Sequence, residues 1–124
     1  MVISARWLFE NHKKHLAMAK YYQELLDHPD NISAQASQNA SDYGKALKEY
    51  LSYLLYFDLV QIILTDEEKW LVEHIFIKEE TYYYLISNPD SPVQGCSKAT
   101  ISRHKKRLLE KADSFLRETC LKNG

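Results

Sequence analysis

The chain has 124 residues, a formal net charge of −1, 45% hydrophobic residues, and three glycines and three prolines. That composition suits one compact helix-rich domain, or a small domain with a helical extension, with enough apolar mass for a single core. It excludes a disulfide scaffold and a metal-finger spacing, since the two cysteines, Cys96 and Cys120, form neither pattern. They read as free thiols in a reducing cytoplasm, with a single bridge between them as the alternative. The first residues, MVISARWLFENHKK, lack the basic region and long apolar core of a signal peptide. The most apolar run, 50–64, is too short for a bilayer and contains Asp58 and Gln61, so the expectation is a soluble cytoplasmic protein with no membrane partner.

The first predicted helix covers 4–27. Leu8, His12, His15, Ala19, Tyr22 and Leu26 recur at alternating spacings of four and three, a seam for another helix. His12 and His15 have the spacing of a metal pair, but no acidic or cysteine partner stands near at ligand spacing, so both read as seam residues and no metal is expected. His28-Pro29-Asp30 ends the helix, because proline cannot continue it. The polar stretch NISAQASQNASD that follows reads as a linker over about 29–42.

A second long helix is predicted over 43–63. Leu47, Tyr50, Leu51, Leu54, Phe57 and Ile62 are joined by Tyr53, Leu55, Leu59, Val60 and Ile63, so it is apolar on more than one face. Such a helix must be covered on several sides. A second copy of the chain is one cover, giving a homodimer; the central position in a monomeric bundle is the other.

Thr65-Asp66-Glu67-Glu68 has the form of a capping box and opens a third helix over 66–77, with Trp70, Leu71, Ile75 and Phe76 facing inward. A short fourth helix, 79–87, carries Tyr82, Leu85 and Ile86 on one side, and Tyr82 reads as a packing residue. Asn88-Pro89-Asp90-Ser91-Pro92 stops it.

The fifth helix, 97–116, has Ser97 as N-cap and a core stripe of Ile101, Leu108, Ala112 and Phe115. Lys98, Thr100, Ser102, Arg103, Lys106 and Arg107 lie off the stripe. Segment 97–117 holds seven cations against two acids, a net +5 on a chain whose total is −1. Such a localised patch is the electrostatic footprint of a polyanion-binding face. A short helix, a turn and a longer basic helix follow the order of a helix-turn-helix. The predicted fold class is therefore all-α: two long N-terminal helices joined by a polar linker (1–64), then a three-helix helix-turn-helix module (65–124).

LTDEEKWLVEHIFI, ETYYYLIS and CSKATISRHKKRLLEKADSFL together resemble region 4 of bacterial sigma factors, most closely at Ser97-x-x-Thr100-Ile101-Ser102-Arg103 and the basic tail Lys105-Lys106-Arg107. With its N-terminal helix, Ser-rich linker and long apolar helix, the chain resembles the ArpU/RinA-like phage transcriptional regulators. The resemblance covers roughly the last 60 residues by motif and the N-terminal half by layout. It implies a regulator of phage or prophage genes in a bacterial cytoplasm, bound to double-stranded DNA, with RNA polymerase as a further partner. Lys98, Thr100, Ser102 and Arg103 would then face base edges, and Lys105, Lys106 and Arg107 would hold phosphates. One departure is the nine-residue connection 88–96, longer than the standard turn between the two helices. The competing class is a helical adaptor that binds a transcription component through the acidic stretch 66–95 and exposed tyrosines without touching DNA. No nucleophile–base order, P-loop or ligand cluster marks an enzyme, and no cofactor is expected.

Overall fold

The computed structural model describes residues 3–28 and 40–123, without the side chains of 40 and 120–123. Its described residues form six helices and no strand: α1 (Ala5–Glu10), α2 (His12–Asp27), α3 (Ala40–Ile63), α4 (Asp66–Leu71), which continues as a π-helical turn over Val72–Ile77, α5 (Tyr82–Ser87) and α6 (Lys98–Asn123). None is long and apolar enough to cross a membrane.

The single first helix expected over 4–27 is two. Ser4, placed inside the predicted helix, is the N-cap of α1, its hydroxyl accepting from the Trp7 N–H. At Asn11 the backbone leaves helical geometry (φ −103°, ψ 7°) while the side-chain amide donates to the Trp7 carbonyl at 2.9 Å. The Asn11 N–H keeps its bond to the same Trp7 carbonyl at 3.0 Å, so the break is confined to this one residue. It lets α1 and α2 serve different neighbours: α1 joins the core, and α2 lies along α3.

The seam on α2 packs against an aromatic run on α3. His12 stacks on Phe57 with ring centroids 3.6 Å apart, and His15, only 2% exposed, sits among Trp7, Tyr50 and Tyr53. Farther along, Tyr22 meets Tyr43 and Tyr50. The linker expected over about 29–42 falls largely on 29–39, outside the described residues. Helix α3 begins at Ala40, earlier than the predicted 43.

One continuous core runs through the rest and crosses the 64/65 division. Ala5, Leu8 and Phe9 of α1 meet Phe57 and Val60 of α3, Leu71, Val72 and Phe76, and the α6 stripe. Phe9 is the hub, edge-on to Phe57 and tilted against Phe76 at 5.4 Å. The α6 stripe is Ile101, Leu108, Ala112 and Leu116, the last fully buried where Phe115 had been expected; Phe115 is half-buried. Helix α6 also runs on past 116 to Asn123.

Helix α4 carries the expected capping box, with Thr65 and Glu68 each bonding the other's backbone N–H. The helix predicted to 77 widens into a π turn after Leu71. This brings Val72 and His74 into buried positions that a uniform α pattern does not assign, while Trp70 and Ile75 are only half-buried. His74 stacks between Trp70, at 4.0 Å, and Tyr84, at 5.5 Å. The π turn closes with the Lys78 N–H on the Glu73 carbonyl and the Glu80 N–H on the His74 carbonyl. Glu79 between them is left-handed (φ 52°), so it ends one helix and cannot begin the next. That is why α5 starts at Tyr82 behind a Thr81 cap, not at 79.

Burial of His12 lowers its pKa from 6.5, outweighing the opposing pull of Asp58. Burial likewise lowers that of His15, with Lys14 and His12 adding to the effect. The unfolded chain therefore takes up these protons at higher pH than the folded one. The stability these two sites hold is present above about pH 6.5 and is lost as pH falls through their folded values. The urea midpoint should drop between about pH 7 and about pH 5, and the drop should be shallower in a His12→Gln/His15→Gln variant. Identical slopes in both proteins would remove the two histidines from the explanation.

Candidate nucleic-acid interface

Helix α6 is presented by its first turn and by the loop before it. The Ser97 hydroxyl accepts from the Thr100 N–H at 3.2 Å and lies 3.0 Å from the Thr100 hydroxyl. Arg103 Nη2 donates to that same Thr100 oxygen at 3.3 Å. Ser97, Thr100 and Arg103 thus form a line at three-residue spacing that holds the guanidinium along the exposed side of the helix. Arg103 starts from a restrained position, so a contact made from it loses less side-chain entropy.

The long connection 88–96 is folded. Asn88 accepts the Asp90 N–H through its side chain, a turn of the Asx type. The Ser91 hydroxyl accepts from Val93, whose side chain is fully buried in the core. Gly95, at φ 74°, turns its N–H back to the Ile86 carbonyl and so satisfies the end of α5. Tyr82 donates to the Cys96 carbonyl at 3.0 Å, which confirms its packing role and ties α5 to the start of α6. Cys96 is a free thiol; the Cys120 side chain lies outside the described residues.

The seven sequence-selected residues divide by direction. At about 100° per residue, Arg103, Lys106 and Arg107 stand roughly opposite the buried stripe, and all three are exposed. Lys98, Ser102 and Lys105 run along one flank, against α5 and the π turn. There Lys98 Nζ lies over the Tyr82 ring and Lys105 Nζ over the Phe76 ring, each 5.2 Å from the centroid. These two cations are partly engaged by aromatic faces. Thr100 is half-buried and serves Arg103.

Of the helix's own acids, Glu110 is exposed among Arg103, Lys106 and Arg107 on the outward side. Asp113 accepts the Ala5 N–H at 2.7 Å, so its carboxylate faces α1. Lys111 pairs with Glu68 at 2.8 Å and belongs to the core's rim more than to a ligand face. Burial raises the Glu68 carboxyl, but hydrogen bonds from Lys111 and Thr65 outweigh it and the net shift is downward. Arg107 borders a small pocket with Glu67, Glu68 and His104. On the flank carrying Ser102, Lys105 and Lys106, Arg6 of α1 lines the same shallow groove, together with Glu110 and Asp113. Arg6, ion-paired to Glu10 at 2.8 Å, carries no sequence signal linking it to α6, since only the fold brings it there. Among the described residues no group of three or more His, Cys, Asp or Glu is placed to hold a metal ion.

Compared with protein-family models, with curated protein sequences and with solved structures, the chain matches none of them.

Val93→Ala should cost about 2 kcal/mol in urea unfolding, because it empties a fully enclosed core position. A loss below about 0.5 kcal/mol would mean the 88–96 loop is not anchored by this side chain.

Proposed function

We propose that the chain is a sequence-specific DNA-binding transcriptional regulator, in which α5, the 88–96 loop and α6 act as a helix-turn-helix braced by α4. The observation that carries this reading is the exposed Arg103–Lys106–Arg107 face of α6, the outward part of a segment with net +5 on a chain of −1. Cations concentrated on one convex helix suit the width of the major groove and the phosphates along its edges. In this arrangement Arg103, positioned by Thr100, is the residue best placed for bidentate contact with guanine, and Lys98 and Ser102 border the DNA from the flank beside α5. Lys105, Lys106 and Arg107 hold backbone phosphates. Arg6 extends the phosphate-holding flank. The resemblance of 65–124 to sigma factor region 4 supports the same assignment. It extends it to a phage or prophage regulator that works in a bacterial cytoplasm and meets RNA polymerase.

A second reading, a helical adaptor without DNA contact, draws on a specific feature. Tyr83 is 76% exposed and borders a shallow concavity with Glu80, Thr81 and Pro89, a patch fitted to a protein surface. The two readings differ in salt dependence and in which substitutions matter.

Selection from random duplexes followed by salt titration tests the proposal. Arg103→Ala should cost about 1–3 kcal/mol at the enriched site and little on random DNA. Lys106→Ala should weaken binding to all sequences and lower the salt slope by about one. Equal losses for both variants on both DNAs would contradict the division between base reading and phosphate holding. No enrichment and no salt-dependent retention would favour the adaptor.

A further inference from the structure

Helix α3 carries an apolar face that the described residues leave exposed. Leu51 is 48% exposed, Leu55 56% and Ile62 77%, the last the most exposed large hydrophobic residue among those described. They belong to a longer line. Gly44, Lys48, Leu51, Leu55, Asp58 and Ile62 follow one another at spacings of four, three, four, three and four. At about 100° per residue all six fall within roughly 80° of one another. The line lies opposite the face that meets α2 and the core, where Tyr53, Phe57 and Val60 sit. Lys48 and Asp58 are exposed and form no ion pair among the described residues.

We propose that this face is covered by the same face of a second copy, with the two α3 helices antiparallel about a two-fold axis at the level of Tyr53. The spacing reads the same from either end, so one register satisfies every position at once. Leu51 packs on the partner's Leu55, and Leu55 on the partner's Leu51. Lys48 meets the partner's Asp58, and Asp58 the partner's Lys48, giving two symmetric ion pairs around an apolar centre. Ile62 lies over the partner's Gly44, the one position in the line with no side chain; a Cβ built there would meet nothing within 4 Å, so the space is open. A small residue facing a large one is how such layers interdigitate.

The charges also select the orientation. Parallel in-register pairing would set Lys48 against Lys48 and Asp58 against Asp58, two repulsions in place of two attractions. Of the flanking positions Leu47, Leu54 and Leu59 are half-buried apolar residues that widen the contact. Self-complementarity of a single patch is the requirement for an isologous two-fold interface. The face shares no residue with the α6 surface discussed above, so the dimer does not rest on the DNA-binding reading.

Sedimentation equilibrium of the full chain tests this directly. The expected result is a reversible monomer–dimer equilibrium, with the mass approaching twice 14.6 kDa as concentration rises. Leu55→Glu should leave a folded monomer, because the residue is exposed within one chain. Lys48→Asp should raise the dissociation constant about tenfold, and Lys48→Asp/Asp58→Lys should restore it to within about threefold of the wild type. Helical circular dichroism unchanged in each variant ties the effect to association. A monomer at all concentrations up to about 100 μM would overturn the proposal. So would a dimer indifferent to Leu55→Glu, or a charge swap without rescue.

Discussion

The packing of α1 against α6 is the contact on which the rest of the structure depends. Ala5, Leu8 and Phe9 fill the core beside Leu108, Ala112 and Leu116, and the Ala5 N–H donates to the Asp113 carboxylate. This contact joins residues 108 positions apart and closes the chain on itself. It fixes which side of α6 is buried and therefore which side is free. It also directs Asp113, an acid that would otherwise dilute the basic surface, towards a backbone donor. With Lys111 held by Glu68, the exposed cations on the outward side of α6 are Arg103, Lys106 and Arg107, with Arg117 farther along and Glu110 the acid among them.

A helix held in this way has a fixed buried side, and the proposed contact with DNA then depends on how its N-terminal turns are offered. The buried Val93, the left-handed Gly95 and the Tyr82–Cys96 hydrogen bond make the 88–96 loop a fitted connector. The Ser97–Thr100–Arg103 line continues that order onto the surface. Two further requirements shape the N-terminal half. The break at Asn11 releases α2 to pack its histidines and tyrosines on α3, and α3 in turn has one face in the core and another turned to solvent.

Features set by neighbours in sequence were legible in the sequence. The Thr65–Glu68 box, the Ser97 cap and the Ile101–Leu108–Ala112 stripe are local patterns with local causes, and each stands where its residues place it. Features set by tertiary contacts were not. Nothing around Glu79 announces a left-handed residue, since glycine is the usual occupant. The π turn depends on what covers both sides of α4, and periodicity assumes one uniform pitch. Val93 lies in a proline-bounded polar stretch whose composition reads as loop, yet its side chain is core. In the site, the outward direction of Arg103, Lys106 and Arg107 follows from the stripe. The aromatic engagement of Lys98 and Lys105, the carboxylate of Asp113 turned to α1 and the approach of Arg6 come only from three-dimensional packing.

The central claim is that the outward face of α6 is the surface that meets DNA. Titrating the isotopically labelled full chain with a short duplex, and following each backbone amide by NMR, tests it most directly. The account predicts that the largest shifts cluster at 97–107, with a smaller group at Arg6, and that they diminish together as salt is raised. Shifts confined to Glu80–Asn88, or none at all at low salt, would contradict it.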